Sequence, residues 1–288
     1  MSLELCILGS GSTGNCSVLR TPAGVMLIDA GLGPRTVAKR LVGTGVQIAH
    51  VRAICLTHLD SDHFTPTWAA TLIEREIRVF CHERRSDDLL RRVDDDCGAR
   101  VERDRFRKLV RTFDGKAFRP LQGIHARPIP FVHDHKGSHG FVIEGFGARL
   151  GYATDLGHVT DELIRRFENV NVLALESNYD RLMQVASVRP AYLKRRIMGG
   201  AGHLSNEQAF DAIKRILDRC ERSRRALPSH IVLLHRSREC NCPKLLKRLF
   251  SRDARVGSRL TLAEPYQRSG WLGTTRSQTE EQMVLKFA

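Results

Sequence analysis

The 288-residue sequence predicts an α/β fold in two sheets, and three observations point to it. Residues 1–31 hold three short strand-like runs separated by turns rich in glycine and proline. Residues 51–57 (VRAICLT) form a nearly continuous apolar run, the pattern of a strand buried on both faces. Downstream, strands and helices interleave without the regular strand–helix–strand repeat of a single parallel sheet. With 42% hydrophobic residues the chain can bury a sizeable core, and residues 1–262 read as one globular domain followed by a tail, 263–288.

In chain order, LELCIL leads into the turn GSGSTGN, CSVLR follows, and VMLIDAG comes after TPAG. A helix is expected from Pro34, because proline suits a first helical turn. After the run at 51–57 come a helix at 65–76, a strand at 77–81 and a charged helical region at 84–96. Strands at 124–132, 140–145 and 149–154 precede a helix at 161–167 and a strand at 171–176. The clearest helix is 206–220, where Ala209, Ile213, Ile216, Leu217 and Cys220 share one face and Ser205 with Gln208 makes a capping box. A strand at 231–235 and a helix at 243–250 complete the pattern. Beyond 262 the periodicity fades into a peripheral tail, expected to dock through Trp271 and the closing MVLKF.

The opening run has neither a basic segment nor a long apolar one, so no secretory signal is read. No apolar stretch approaches the roughly 20 residues of a membrane span, so the expected setting is cytoplasmic, with no membrane partner. Eight scattered cysteines, several inside strand-like runs, read as buried reduced thiols. Cys240 and Cys242 lack the second Cys/His pair that a zinc finger needs. A formal net charge of +14 attracts polyanions, of which nucleic acid is the commonest. Charge alone fits a solvated basic surface equally well, so it gains meaning only beside chemistry.

That chemistry is concentrated in THLDSDHF, directly after the buried run. His58, Asp60, Asp62 and His63 place four potential ligands at the mouth of a strand. Side chains 58 and 60 point the same way off an extended segment, while Asp62 and His63 turn toward a second position. One cation could be held by the first pair and its neighbour by the second. His133 follows PFV, Asp155 follows LGYAT and His235 follows IVLL, each at the end of an apolar strand. Singly, such residues are more often ordinary core or surface positions; together they point to a metal centre.

This series of an HxHxDH-type cluster, a lone His, a lone Asp and a terminal His, preceded by MLIDAG, resembles the ligand series of the metallo-β-lactamase superfamily. The longer blocks LGSGSTGNC, FVHD, GYATDLGHVT, LALESNYD, GHLSNEQA and VLLHRSRECN are similar to its YycJ/VicX-like branch, regarded as DNA 5′ to 3′ exonucleases. The resemblance covers residues 1–262 and implies an αββα sandwich, two mixed sheets flanked by helices. It also implies two divalent metal ions (Mn, Zn or Fe), one bound by His58, Asp60 and His133 and the other by Asp62, His63 and His235. Asp155 would bridge both, and Asp29 would lie behind the ligands and orient their loop. Glu176 and His203 look like the pair that donates a proton in the related tRNA 3′-processing nucleases. Asp60 departs from the family pattern, which has histidine there. A carboxylate is a harder donor and shifts preference away from zinc toward manganese, iron or magnesium-like ions.

The activity so implied is metal-dependent phosphodiester hydrolysis by a DNA exonuclease. Metals so held would activate a bridging hydroxide, positioned by Asp62 or Asp155, that would attack phosphorus, and Glu176 with His203 would protonate the leaving oxygen. A nucleic acid partner would give a purpose to Arg84, Arg85, Arg91 and Arg92, to the stretch 103–111, and to Lys194, Arg195 and Arg196. Two rivals stand beside this reading. One is a hydrolase of small esters, thioesters or cyclic nucleotides on the same fold. The other is an inactive nucleic-acid-binding protein, which Asp60 allows and the remaining intact ligands oppose.

Overall fold

The computed structural model describes residues 3–94 and 100–273. Six strands open the chain: β1 (Glu4–Gly9), β2 (Cys16–Thr21), β3 (Gly24–Ile28), β4 (Val51–Cys55), β5 (Arg78–His82) and β6 (Val110–Phe113). Six more follow: β7 (His125–Phe131), β8 (Ser138–Gly145), β9 (Ala148–Ala153), β10 (Val172–Glu176), β11 (His230–Leu234) and β12 (Leu260–Leu262). A final short strand, β13 (Leu272–Gly273), returns to pair with β1. The sheets run β13-β1-β2-β3-β4-β5-β6 and β12-β11-β10-β9-β8-β7. In each, an antiparallel part gives way to a parallel one, from β3 to β6 and from β9 to β12.

Alternation along the strands sorts side chains into layers. Leu5 and Ile7 of β1 and Val172 and Ala174 of β10 meet Phe141, Tyr152 and Val232 between the sheets. Cys6 and Leu8 face outward onto Val37, Leu72, Leu89 and Phe106, and so onto the helices Pro34–Leu41, Ala69–Arg75, Ser86–Asp94 and Arg100–Arg107. Leu173 and Leu175 face the helices Asp161–Arg166, Asn206–Arg222 and Pro243–Phe250 on the other side. The result is the expected αββα sandwich. Helix Asn206–Arg222 begins with the expected box: the Ser205 hydroxyl accepts from Gln208 N at 3.3 Å, and Ser205 N donates to Gln208 Oε1 at 2.8 Å.

The expected strand at 51–57 ends early, at Cys55, because Thr57 N donates to the Asp29 carboxylate at 2.8 Å instead of to a neighbouring strand. The helix Arg100–Arg107 and strand β6 lie outside the expected pattern; their arginine-rich sequence hides a thin apolar signal that buries little beyond Phe106 and Phe113. Helices Arg181–Ala186 and Ala191–Met198 are likewise additions to it. Residues 263–273 return to the edge of the first sheet at β1, where Ser269 N donates to Ile7 O at 2.9 Å and Arg40 donates to Pro265 O at 2.9 Å. Trp271 lies under the Arg20 guanidinium at 4.2 Å and donates to Thr44 O at 3.3 Å. The closing MVLKF, residues 95–96 of the helix expected at 84–96, and Cys97 lie outside the described residues. The other seven cysteines are free, six of them buried. Among the described residues no helix is long and apolar enough to cross a membrane.

Candidate metal centre

Strands running in one direction deliver polar residues to a common edge. Asp29 follows β3, residues 57–63 follow β4, Asp155 lies just past β9, Glu176 ends β10 and His235 follows β11. His133 lies past β7, which is antiparallel to β8 and therefore runs the same way as β9. Asp29, Asp155 and His235 adopt left-handed backbone, with φ of 61°, 54° and 52°. That turn takes the chain sharply off the ladder at a cost of order 1–3 kcal/mol per residue. The ligand loop is laced to its neighbours through backbone: Asn15 N donates to Asp62 O at 2.6 Å, and Gly31 N donates to Asn15 O at 2.9 Å. Gly31 must be glycine, because a Cβ there would lie 1.7 Å from Asp62 O.

Each proposed ligand imidazole is anchored through Nδ1. His63 Nδ1 donates to Asp29 at 2.8 Å, His235 Nδ1 to Glu176 at 2.9 Å, and His133 Nδ1 to Gly202 O at 3.0 Å. His58 Nδ1 lies 3.0 Å from the Thr57 hydroxyl, whose own proton goes to Asp29 at 2.9 Å, so the imidazole is the donor. Anchoring Nδ1 fixes the tautomer and leaves Nε2 for another partner. His58 Nε2 is buried and has no hydrogen-bond partner. Burial, with His63 alongside, holds His58 well below the ordinary imidazole range, so that nitrogen is a bare lone pair.

Around these nitrogens the structure gathers donor sets within 4.8 Å: His58, Asp60 and His133; Asp62, His63 and His235; and Asp155 with His58 and His63. A fourth set joins Asp155, Glu176, His203 and His235. Asp155 is central, lying 2.9 Å from His63 Nε2, 3.1 Å from His235 Nδ1 and 3.9 Å from His133 Nε2. Burial opposes its ionisation, yet His235 and His63 hold its carboxyl well below the usual range. Against burial, Asp155 in turn pushes both imidazoles well above theirs. Asp60 is the most exposed member, 44% accessible and 3.8 Å from His58 Nε2. Mixed imidazole and carboxylate donors, a buried lone pair without a partner and anchored tautomers fit a pair of divalent cations.

Beside the cluster, His203 Nδ1 donates to Glu176 Oε1 at 2.8 Å. The second Glu176 oxygen accepts from the backbone of Leu156 and Leu204 at 3.3 and 3.2 Å. Burial disfavours the charged His203 ring, but Glu176 raises its pKa above the ordinary value. Of the basic residues expected to track nucleic acid, Arg85, Arg91, Arg92 and Arg196 line cavities at the cluster. Lys194 donates instead to Val185 O at 2.7 Å, and Arg195 is exposed.

Sequence reasoning missed Asn15. Its side-chain amide lies 2.9 Å from His63 Nε2 and 3.2 Å from Asp62 Oδ2, while its carbonyl accepts from Ser10 Oγ and Gly11 N. The signal is present in GSGSTGN: three glycines close a turn tightly enough to aim one amide into the site. Asn15→Ala is expected to weaken metal binding about 10–100-fold, as loss of a residue supporting metal ligands does. Titration calorimetry measures it, and unchanged affinity would mean that Asn15 only shapes the turn.

Residues 25–231 match the family described as Beta-lactamase superfamily domain. The chain is similar to "Exodeoxyribonuclease YycJ" of Bacillus anthracis, with 25% identity over 247 residues covering 86% of this chain and 87% of that protein. Its fold is similar to that of the metallo-β-lactamase fold protein YhfI from Bacillus subtilis, with TM-score 0.65 and 12% identity, covering 93% of this chain and 100% of the other. The short form of human tRNase Z is also similar, with TM-score 0.58 and 18% identity, covering 93% and 98%. The chain therefore belongs to the metallo-β-lactamase superfamily, as a hydrolase of its YycJ-like branch.

Proposed function

We propose that the protein is a metal-dependent phosphodiesterase that degrades DNA from an end. The observation that carries this reading is an arginine-lined cleft across the donor cluster. One cavity joins His58, Asp60 and His133 to Arg85, Arg91, Arg92 and Lys136. A second joins His133, His203 and His235 to Arg189 and Arg196. The two share His133 and Asp134, so basic side chains flank the centre on both sides; Asp88 pairs with Arg85, Arg91 and Lys136, Asp134 with Arg196 and Glu239 with Arg189, and a phosphate backbone would take the place of these carboxylates. A small neutral ester would have no use for such walls. The curated relative named as an exodeoxyribonuclease supports DNA as the substrate.

Cations held by His58, Asp60 and His133 and by Asp62, His63 and His235, with Asp155 between them, would supply an activated water and charge neutralisation at phosphorus. The chain's own groups do the rest. The arginines hold the backbone over the cluster, and Asp62 and Asp155 orient the attacking water. His203, hydrogen-bonded to Glu176, delivers a proton to the departing oxygen.

Digestion of 5′- and 3′-labelled single- and double-stranded DNA and RNA with added metal, beside Asp62→Ala, tests the reading. Unchanged activity in Asp62→Ala, or no cleavage of any nucleic acid, would sink it. Asp60 sets a second expectation, since its oxygen favours manganese or iron over zinc. Elemental analysis should find fewer than two tightly held zinc ions per chain, and more in Asp60→His. Two tight zinc ions in the unaltered protein would count against a role for Asp60 in metal choice.

A further inference from the structure

The hairpin formed by helices Arg181–Ala186 and Ala191–Met198 carries an anomaly that the metal centre does not use. Nine large hydrophobic side chains are exposed among the described residues, and four of them, Leu182, Val185, Val188 and Tyr192, belong to this one segment. Val188 is fully exposed and Leu182 is 80% exposed. Leu182 and Val185 are one turn apart and share a helix face. The hairpin does not need that face to dock, because Met183, Leu193, Ile197 and Met198 already pack it against Tyr179 and Cys240. Apolar surface concentrated in this way on a protein that could have avoided it marks an interaction site.

Charge identifies the partner. From Arg181 to Met198 there are five basic residues and no acidic one. Arg181 and Arg195 form no ion pair among the described residues. A second copy of this chain would bring like charges together, which costs affinity; a polyanion would not. The hairpin also forms one wall of the cavity that contains His203 and His235, through Arg189, Leu193 and Arg196. Apolar side chains beside arginines suit a strand whose bases are unstacked, because a duplex turns only its backbone and base edges outward.

We propose that this hairpin is a platform for unpaired nucleic acid leading into the cleft, with Leu182, Val185, Val188 and Tyr192 against bases and Arg181 and Arg195 on phosphates. The proposal rests on the nuclease reading and sharpens it: the end that enters the centre is single-stranded.

The test is fluorescence anisotropy of the full chain in chelator, so that nothing is cleaved, with a labelled oligothymidylate of about 16 nucleotides and a duplex of equal length. Val185→Ser/Val188→Ser/Tyr192→Ser is expected to weaken single-strand binding about tenfold or more, and duplex binding less than about twofold. Arg181→Gln/Arg195→Gln should lower the slope of log affinity against log salt by about 1.4. Thermal unfolding midpoints should stay unchanged, which separates these effects from misfolding. Equal affinity of the triple variant for the single strand overturns the proposal. It is overturned as well if the triple variant keeps that affinity but dissociates a dimer seen by sedimentation, or no longer binds anionic phosphatidylserine vesicles. If the unaltered chain cleaves DNA while the triple variant binds the single strand normally, this inference alone fails. If the unaltered chain neither cleaves nor binds nucleic acid, the functional reading fails with it.

Discussion

Asp155→Asn is expected to reduce metal-dependent hydrolysis about a thousandfold, the loss of roughly 4 kcal/mol of transition-state stabilisation, and to lower bound metal below two ions per chain. Asparagine keeps the shape and tolerates the left-handed backbone at this position, so the change is one of charge. That charge is shared widely: one or other Asp155 oxygen lies 2.9 Å from His63, 3.1 Å from His235 and 3.4 Å from His203. Two donor sets meet at this residue, and both should loosen. Elemental analysis beside digestion of labelled DNA measures the two effects. A variant that keeps both its metals and its rate would show that Asp155 does not lie between the cations.

His203→Ala should lower kcat on DNA about 10²–10⁴-fold, the usual contribution of a positioned acid, with metal content retained. The diagnostic comparison uses an aryl phosphodiester whose leaving group departs without a proton, where the loss should stay within about tenfold. A proton donor produces that difference; a residue that merely holds the site together lowers both rates alike. Glu176→Gln should be the more damaging change. The same carboxylate oxygen that anchors His203 at 2.8 Å anchors His235 at 2.9 Å, so its charge supports both proton delivery and a proposed ligand.

Much of this is legible in the sequence because apolar runs announce where strands end. VRAICLT, LGYAT and IVLL are unambiguous as buried strands, and the polar residues just beyond them are the ones the fold gathers at one edge. Asp29 is legible for the same reason, following VMLI. Asn15 is not, since an amide has no chemistry of its own and matters only because backbone contacts bring two loops together. The dual contact of Glu176 depends on β10 and β11 being parallel neighbours, which no local pattern reveals. The hairpin at 181–198 is hidden because its apolar residues lie on both faces, Met183, Leu193, Ile197 and Met198 inward and Leu182, Val185, Val188 and Tyr192 outward, so its helices lack the one-sided burial that makes periodicity readable. Strand β6 is obscured differently: at an edge, with Arg111 and Thr112 exposed, it shows too little alternation to separate from the basic stretch around it.

The three left-handed turns at Asp29, Asp155 and His235 have an evolutionary consequence. Each holds a side chain in a conformation that glycine or asparagine would adopt more cheaply. A lineage that had stopped using these side chains would gain stability by drifting to those residues, one position at a time and without disturbing the core. All three positions hold Asp or His in this chain, so each keeps an ionisable side chain at that conformational cost.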